Sequence, residues 1–358
     1  MSRISNCTLP LLLAASALIA PAIARADDGS GLKTSVAVDL LGQSGKVHEG
    51  KSDRFEAREA EVSFFAPIDP TFDGTLTAAA HDEDGEYVFE VHEAFISTSK
   101  LIPRSRLKVG KFFLGVGRLN QFHRHDWPFV SAPKVHREFF GAEGAVDAGA
   151  EYGLLMPTDL YLDLTVGVTN GWTYGHAHDA GARPKTPTHY ARLATYLELP
   201  AEGGLQAGLN YLGRTDAAGT RMTLAGLDAT AKWREARTVK FLLQSEIWHR
   251  TLAPEGAEAE NTLGLYVFPQ YGFTEQLSFG VRGDYYTVTS LKDASGGKIE
   301  NGTTAFVPTL TYKPSEFSTF RLAYTKELET QANQPTAEDG LVEVQLTFIL
   351  GAHPAHDF

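Results

Sequence analysis

Along most of the chain, apolar and polar residues alternate in short segments. In residues 160–169, leucine or valine occupies every second position, with mostly polar or small residues between them. Similar spacing recurs in residues 189–199, 238–249 and 276–286. A period of two with one apolar face is typical of β-strands, because successive side chains point to opposite sides of a sheet. The pattern therefore predicts an all-β protein.

The connections between these segments alternate in length. Short connections, such as 101–106 and 313–317, alternate with long ones, such as 114–147 and 170–188. Short turns at one rim and long loops at the other are typical of an antiparallel up-and-down β-barrel. We predict about 16 strands, at residues 33–42, 55–66, 74–81, 87–98, 105–113, 148–156, 160–169, 189–199, 204–212, 221–233, 238–249, 261–268, 276–286, 304–312, 318–326 and 341–350.

Charged residues decide which way the apolar face points. Most predicted strands carry a charge on the face opposite to the apolar one. A closed, dry core does not tolerate so many unpaired charges, whereas a water-filled lumen does. We therefore expect a transmembrane barrel with its apolar face toward lipid. The charged residues expected in the lumen are Glu59, Glu61, Glu90, Asp163, Arg192, Lys240, Glu246, Arg282, Asp284 and Arg321.

Aromatic residues near strand ends and the end of the chain support a membrane location. Phe112, Phe113, Trp248 and Phe268 are among the aromatics expected to form girdles at the two membrane interfaces. The chain stops at Phe358, after a strand with alternating apolar residues, which is the signal that outer-membrane barrel assembly machinery recognises. The intervening residues 352–357 depart from that signal.

The first 26 residues have the features of a secretory signal peptide. Residues 9–24 are apolar apart from Ser16, and small residues at Ala24 and Ala26 form an A-x-A cleavage site. The apolar run is shorter than the roughly 20 residues that span a membrane, which disfavours a helical anchor. We expect export through the Sec pathway, cleavage after Ala26 and a single domain at 27–358. Cys7 would be lost with the signal.

The charge of the mature chain excludes some functions. Removal of Arg3 and Arg25 leaves 30 basic and 44 acidic residues, a net charge of −14. Nucleic-acid binding needs basic patches, so it is disfavoured. No G-x-S-x-G motif stands out and no Ser-His pair suggests a nucleophile, so we do not expect an enzyme.

Residues 107–129, LKVGKFFLGVGRLNQFHRHDWPF, resemble the passage of phosphate-selective porins in which a lumen-facing strand runs into a pore-narrowing loop. The resemblance implies a bacterial outer-membrane porin. Those porins bind phosphate through a ladder of lysines and arginines, whereas the lumen expected here is mixed in sign with acids in excess. Phosphate selectivity is therefore not implied. The ending GAHPAHDF also resembles barrel proteins labelled as zinc-regulated receptors, but 332 mature residues cannot supply the plug and about 22 strands of a TonB-dependent receptor.

The segment 114–147 is the longest without strand alternation, and long loops in compact proteins are usually functional. We interpret it as a constriction loop folded into the barrel, held against the wall by its aromatic residues. An extracellular lid is the alternative. The residues expected to line the constriction are Arg118, His123, Arg124, His125, Asp126, Lys134, His136, Arg137 and Glu138.

Histidine spacing in this loop raises a metal-binding alternative. His123 and His125 are two residues apart, so on an extended chain both imidazoles could bind one Zn²⁺ ion, with Asp126 or His136 completing the set. His176 and His178 repeat the pattern in the next long loop, and a third histidine cluster lies at the C-terminus. Because loops are polar in any case, solvated histidines without metal are the competing interpretation.

Together, these features predict an outer-membrane channel for passive diffusion of small hydrophilic solutes or ions. The acid excess predicts a modest preference for cations. Zinc or other transition-metal uptake through the histidines is the alternative function, and a non-conducting structural barrel is a third. No resident cofactor is expected in a passive channel. The partners expected are outer-membrane lipid and the assembly machinery, and the sequence leaves monomer and homotrimer open.

Overall fold

The protein forms a closed barrel of antiparallel strands, each hydrogen-bonded to its neighbours in the chain. The computed structural model describes residues 31–46, 53–83, 86–171, 182–292, 296–297, 299, 301–332 and 334–352. Sixteen strands lie in these residues, which confirms the predicted fold class. They are β1 (Lys33–Lys46), β2 (Arg54–Pro67), β3 (Asp73–Glu83), β4 (Glu86–Thr98), β5 (Ser105–Phe113), β6 (Val146–Leu155), β7 (Leu162–Thr169), β8 (Thr186–Leu199), β9 (Gly203–Thr215), β10 (Arg221–Glu235), β11 (Thr238–Ala253), β12 (Glu260–Gly272), β13 (Leu277–Val288), β14 (Asn301–Ser315), β15 (Ser318–Gln331) and β16 (Ala337–Gly351).

Pairing of the first strand with the last closes the sheet. Val36 lies opposite Leu350, and the register continues to Lys46 opposite Gly340. Closure satisfies the backbone of every strand, so no open edge remains for a lipid environment. Many strands extend beyond their predicted ends at the long-loop rim, because ladder pairing continues past the band of apolar alternation, as at Leu252 and Glu260.

The predicted orientation of the two faces is confirmed. Phe89 is 82% exposed on the outer surface, whereas Arg282 and Glu343, which face the lumen, are 2% and 1% exposed. The prediction of interfacial girdles was wrong for Phe112, Phe113, Trp248 and Phe268, which are at most 5% exposed. These four aromatics pack inside the barrel against the long loop or the residues around it.

Two β-bulges place consecutive polar residues on the lumen side. In β2, Asp39 pairs with Glu59 and Leu40 with Ala57, so that Arg58 is an extra residue. In β4, Thr77 pairs with Glu93 and Ala78 with Val91, so that His92 is extra. A bulge breaks the alternation of faces and re-aims the side chain beside it. Arg58 and His92 consequently face the lumen with their neighbours Glu59 and Glu93.

The connection between β5 and β6, residues 114–145, enters the barrel. It contains two 3₁₀ turns, Leu119–Gln121 and Arg124–Asp126, and one short helix, α1 (Lys134–Phe140). Its ends are close together, since the Leu114 amide donates to the Ala145 carbonyl at 3.0 Å. Among the described residues, no helix is both long and apolar enough to cross a membrane.

Candidate functional site: a loop folded into the lumen

We refer to residues 114–145 as the lumen loop. One side of it packs on an aromatic wall formed by β11 and β12. The ring of Phe140 lies 4.9 Å from Trp248, and Phe129 lies 5.7 Å from Tyr266 and 5.4 Å from Phe268, all edge to face. Such pairs add about 1 kcal/mol each beyond the burial of their area. The aromatic residues therefore fix the loop to one half of the barrel.

Glu246 on β11 anchors the start of the lumen loop. Its Oε1 accepts hydrogen bonds from the backbone amides of Leu119 at 2.7 Å and Arg118 at 3.2 Å, and from the Tyr266 hydroxyl at 3.1 Å. Its Oε2 accepts from Trp248 Nε1 at 2.8 Å. Gly117 has a φ of 63°, and a Cβ there would meet Glu246 Oε2 at 2.6 Å. The loop backbone can approach this carboxylate closely because residue 117 is glycine.

The opposite side of the lumen loop meets acidic residues on β2 and β4. His123 Nδ1 lies 2.8 Å from Glu61 Oε2, and its Nε2 lies 3.0 Å from Glu93 Oε2. Burial alone would lower the pKa of His123, but Glu61 and Glu93 raise it well above its usual value. Arg124 Nη2 lies 3.9 Å from Glu59 Oε2 on β2. The loop is therefore attached to this wall by charged contacts.

The middle of the lumen loop reaches a third part of the wall. Val130 belongs to a small buried apolar cluster with Leu41, Ala305, Val307 and Ala323. Its carbonyl accepts a hydrogen bond from Arg58 Nη1 at 2.8 Å. The neighbouring Ser131 donates to Glu343 at 3.3 Å. The loop thus contacts the wall on several sides and crosses the lumen.

Cavities lie on both sides of the lumen loop. Toward the short turns, one cavity of about 850 Å³ is bordered by Arg106, Asp163 and Gln206, and another of about 320 Å³ by Lys232, Lys313 and the 274–278 turn. Toward the long loops, a cavity of about 440 Å³ is bordered by Arg54, Glu329 and Asp339. The lumen loop therefore lies between cavities that border the short-turn rim and the long-loop rim.

The comparisons with known proteins agree with this architecture. The family model described as "Putative beta-barrel porin-2, OmpL-like" (BBP2) matches residues 152–353, more than half of the chain. The chain belongs to this porin family. This confirms the predicted outer-membrane porin, while the phosphate-selective subfamily stays a prediction.

Relatives and solved structures extend the likeness over nearly the whole porin. An uncharacterized protein of Aquifex aeolicus (strain VF5) is 28% identical over 349 residues, covering 88% of this chain and 72% of that protein. The Salmonella typhi OmpF complex with daunomycin has a TM-score of 0.62 at 13% identity, covering 91% of this chain and 99% of that one. Outer-membrane expressed OmpT of Vibrio cholerae has a TM-score of 0.60 at 10% identity, covering 91% and 99%. At these identities the solved structures show the fold alone.

Most of the charges predicted for the lumen face inward, and many are paired. Arg192 contacts Asp228 at 2.6 Å, and Arg282 contacts Asp284 at 2.9 Å. Lys240 instead lies at the turn end of β11, where it contacts Glu235 at 3.2 Å. The other predicted lumen residues that are less than a tenth exposed are Glu59, Glu61, Asp163, Glu246 and Arg321.

The residues predicted for the constriction occupy different environments in the lumen loop. Arg118 Nη1 donates to Gln206 at 2.9 Å, and Lys134 pairs with Glu138 at 3.1 Å on α1. His136 is buried against Trp127, with ring centroids 5.1 Å apart, and burial lowers its pKa to about 3. Arg137 faces the cavity on the long-loop side.

The histidines predicted to share a metal are close but face different partners. The rings of His123 and His125 stack with centroids 5.7 Å apart. His123 faces Glu61, whereas His125 Nε2 lies 3.4 Å from Asp126. His176, His178 and the C-terminal histidines lie outside the described residues.

Alternation alone did not identify several lumen residues. Counted from the predicted lumen residues Glu59 and Glu90, a strict period of two assigns Arg58 and Glu93 to the lipid face, because each lies at or beside a bulge. The available signal was the spacing of polar residues, which changes from two to one at Arg58-Glu59 and at His92-Glu93.

His125 gives the porin a testable dependence on pH. Burial would lower the pKa of His125, but Asp126 and Glu59, the latter 3.8 Å from Nδ1, raise it from 6.5 to about 9. Because the pKa is raised in the folded state, the charge stabilises the docked loop fully below pH 6.5, and this stabilisation is lost as the pH rises through about 9. We expect channel conductance to become larger and noisier above about pH 9.

A substitution at His125 distinguishes its effect on conductance from the effect of other groups that lose protons at high pH. Glu61 and His123 also influence the pKa of His125. Because glutamine does not titrate, His125→Gln should lack the alkaline rise in bilayer recordings. An unchanged pH profile in this variant would show that other groups are responsible.

Proposed function

We propose that this porin is a passive diffusion channel for small hydrophilic solutes or ions, with the lumen loop as its narrowest element. The observation that supports the proposal best is the loop itself, which crosses a charged lumen between cavities on both sides. A water-facing, charged wall lowers the barrier for polar solutes that lipid excludes. Porins are in general channels rather than enzymes, in line with the expectation from the sequence.

Conductance across planar bilayers tests this function. Purified porin should give discrete steps whose size increases with salt concentration. The variant in which the lumen loop is replaced by a short turn should conduct more. If neither protein conducts, the barrel has a structural role and the channel proposal is wrong.

Local charge argues for weak ion selectivity. The acid excess of the whole chain predicted a modest cation preference, but the smaller cavity on the short-turn side has a cationic excess. Its charged residues are Arg118, Asp126, Lys232, Arg237, Glu275, Lys313 and Arg321. Solutes that cross the porin would therefore meet both signs of charge, and the two contributions would partly cancel. The sequence resemblance does not imply a phosphate preference, and we do not propose one.

Neutralising part of this cavity should shift selectivity in a defined direction. The double variant Lys232→Gln/Lys313→Gln removes two positive charges. It should move the reversal potential in a salt gradient toward cation preference, because fewer positively charged side chains then repel a permeating cation. Lys185→Gln is the matched control, since Lys185 pairs with Glu255 at the long-loop rim. An equal shift in both variants would contradict a role for this cavity.

Export and assembly remain proposals. We infer that cleavage after Ala26 and export through the Sec pathway deliver residues 27–358 to the outer membrane, where Phe358 engages the assembly machinery. The signal segment and Phe358 lie outside the described residues. N-terminal sequencing of protein from isolated outer membranes would test the cleavage, and mass measurement of the detergent-solubilised porin would distinguish monomer from homotrimer.

A further inference from the structure

A compact group of histidines and glutamates lies where the end of the lumen loop meets the barrel wall. His81 on β3, Glu90 and His92 on β4, and Glu143 in the loop each contribute one donor atom, and these atoms lie within 4.8 Å of one another. The two histidines are buried, at 5% and 2% exposure. The side chains of Glu90 and Glu143 are 15% and 12% exposed.

The spacing of these atoms is close to that of the coordination shell of a metal ion. His92 Nε2 lies 2.9 Å from Glu90 Oε1 and 3.7 Å from Glu143 Oε2. The rings of His81 and His92 have centroids 5.9 Å apart. Two ligands bound to zinc at about 2.0 Å, at the tetrahedral angle, are about 3.3 Å apart. A metal between the four donors therefore requires only small movements of side chains.

The second nitrogen of His92 faces a carboxylate, as expected for a metal ligand. His92 Nδ1 lies 3.6 Å from Glu61 Oε2. Histidines that bind metals commonly donate the other ring N–H to a carboxylate, which fixes the tautomer and the ring orientation. Glu143 presents one oxygen to Arg124 and the other toward His92. Each of these two ligands thus has a charged group beside the atom that would not bind the metal.

Charge in this region independently favours a bound cation. Glu59, Glu61, Glu90, Glu93 and Glu143 all meet histidines of the wall or the loop. Arg124 contacts two of these carboxylates, Glu143 and Glu59. Burying several carboxylates together is costly unless positive charge accompanies them. A divalent ion would supply that positive charge, so that the histidines need not be protonated to balance the carboxylates.

We propose that His81, Glu90, His92 and Glu143 form a binding site for a divalent transition metal, with Zn²⁺ as the best match. Two imidazoles and two carboxylates suit this class of ion, whereas Mg²⁺ and Ca²⁺ prefer shells made of oxygen. The site differs from the H-x-H hypothesis, because three ligands come from strands and the fourth from the loop end. A bound ion would join the lumen loop to the wall and is independent of whether the porin conducts.

Calorimetry on the full-length porin in detergent tests the site. Wild type should bind Zn²⁺ in a component that His92→Gln and Glu90→Gln each weaken about tenfold or more. His189→Ala and His249→Ala are matched controls at exposed histidines and should retain that component. The absence of the component in wild type, equal binding in His92→Gln, or equal affinity for Mg²⁺ would each overturn the proposal.

Spectroscopy identifies the ligands and guards against misfolding. X-ray absorption of the Zn²⁺-loaded porin should show two imidazoles in wild type and fewer in His81→Ala. Variants should retain the heat-dependent gel mobility of a folded barrel. If Glu90→Gln folds normally and shows the wild-type spectrum and affinity, the ligand assignment is wrong. None of these measurements depends on conductance. The metal site can therefore be tested even if the porin proves not to be a channel.

Discussion

Replacing residues 115–144 with a four-residue turn will yield a folded barrel whose single-channel conductance is several-fold higher than that of the full chain. The replacement is feasible because β5 and β6 are paired up to Phe113 and Val146. A short turn can therefore join strands that are already hydrogen-bonded neighbours. Removing the lumen loop unites the cavities on its two sides. Planar-bilayer recordings would measure the conductance.

Shortening a loop outside the lumen is the control. Residues 254–259 join β11 and β12 at the long-loop rim, and their replacement by a short turn should leave conductance near that of wild type. Heat-dependent gel mobility would establish that both variants fold. If the barrel without its lumen loop conducts no better than the full chain, the loop is not the constriction.

Glu246→Ala will release the start of the lumen loop and produce larger, fluctuating channel openings. The substitution removes the acceptor of two backbone amides, one indole N–H and one hydroxyl, all in a buried setting. Leaving such donors unpaired destabilises the docked loop by roughly 3 kcal/mol or more. Because the ladder bonds of β11 do not involve this side chain, the barrel itself should still fold.

Two further variants show whether the hydrogen bonds are responsible. Glu246→Gln keeps one acceptor oxygen, so it should lie between wild type and Glu246→Ala in channel noise. Glu198→Ala removes an exposed carboxylate from β8 and should behave as wild type. Limited proteolysis within the lumen loop provides a second measurement. Quiet, wild-type openings and a protected loop in Glu246→Ala would contradict an anchoring role.

The barrel was predictable because its determinants are local and repeat. Every strand combines an apolar face with a polar one, and the strands are joined in chain order by alternating turns and loops. The same logic identified the segment after β5 as unusual from its length. Bulges limited the prediction of which residues face the lumen. An extra residue such as Arg58 or His92 moves the residues beside it to the other face of the sheet, and composition gives no sign of this.

The sequence by itself determined an antiparallel barrel with lipid-facing apolar residues, since period-two alternation and inward charge have no other stable arrangement in a membrane. Only the tertiary structure decided which groups meet inside. Glu246 reaches Leu119 across 127 positions in the chain, and His81, His92 and Glu143 converge from two strands and a loop. Such contacts depend on strand register, on bulges and on the path of the loop. These arise from the packing of the whole barrel, and no local pattern of residues encodes them.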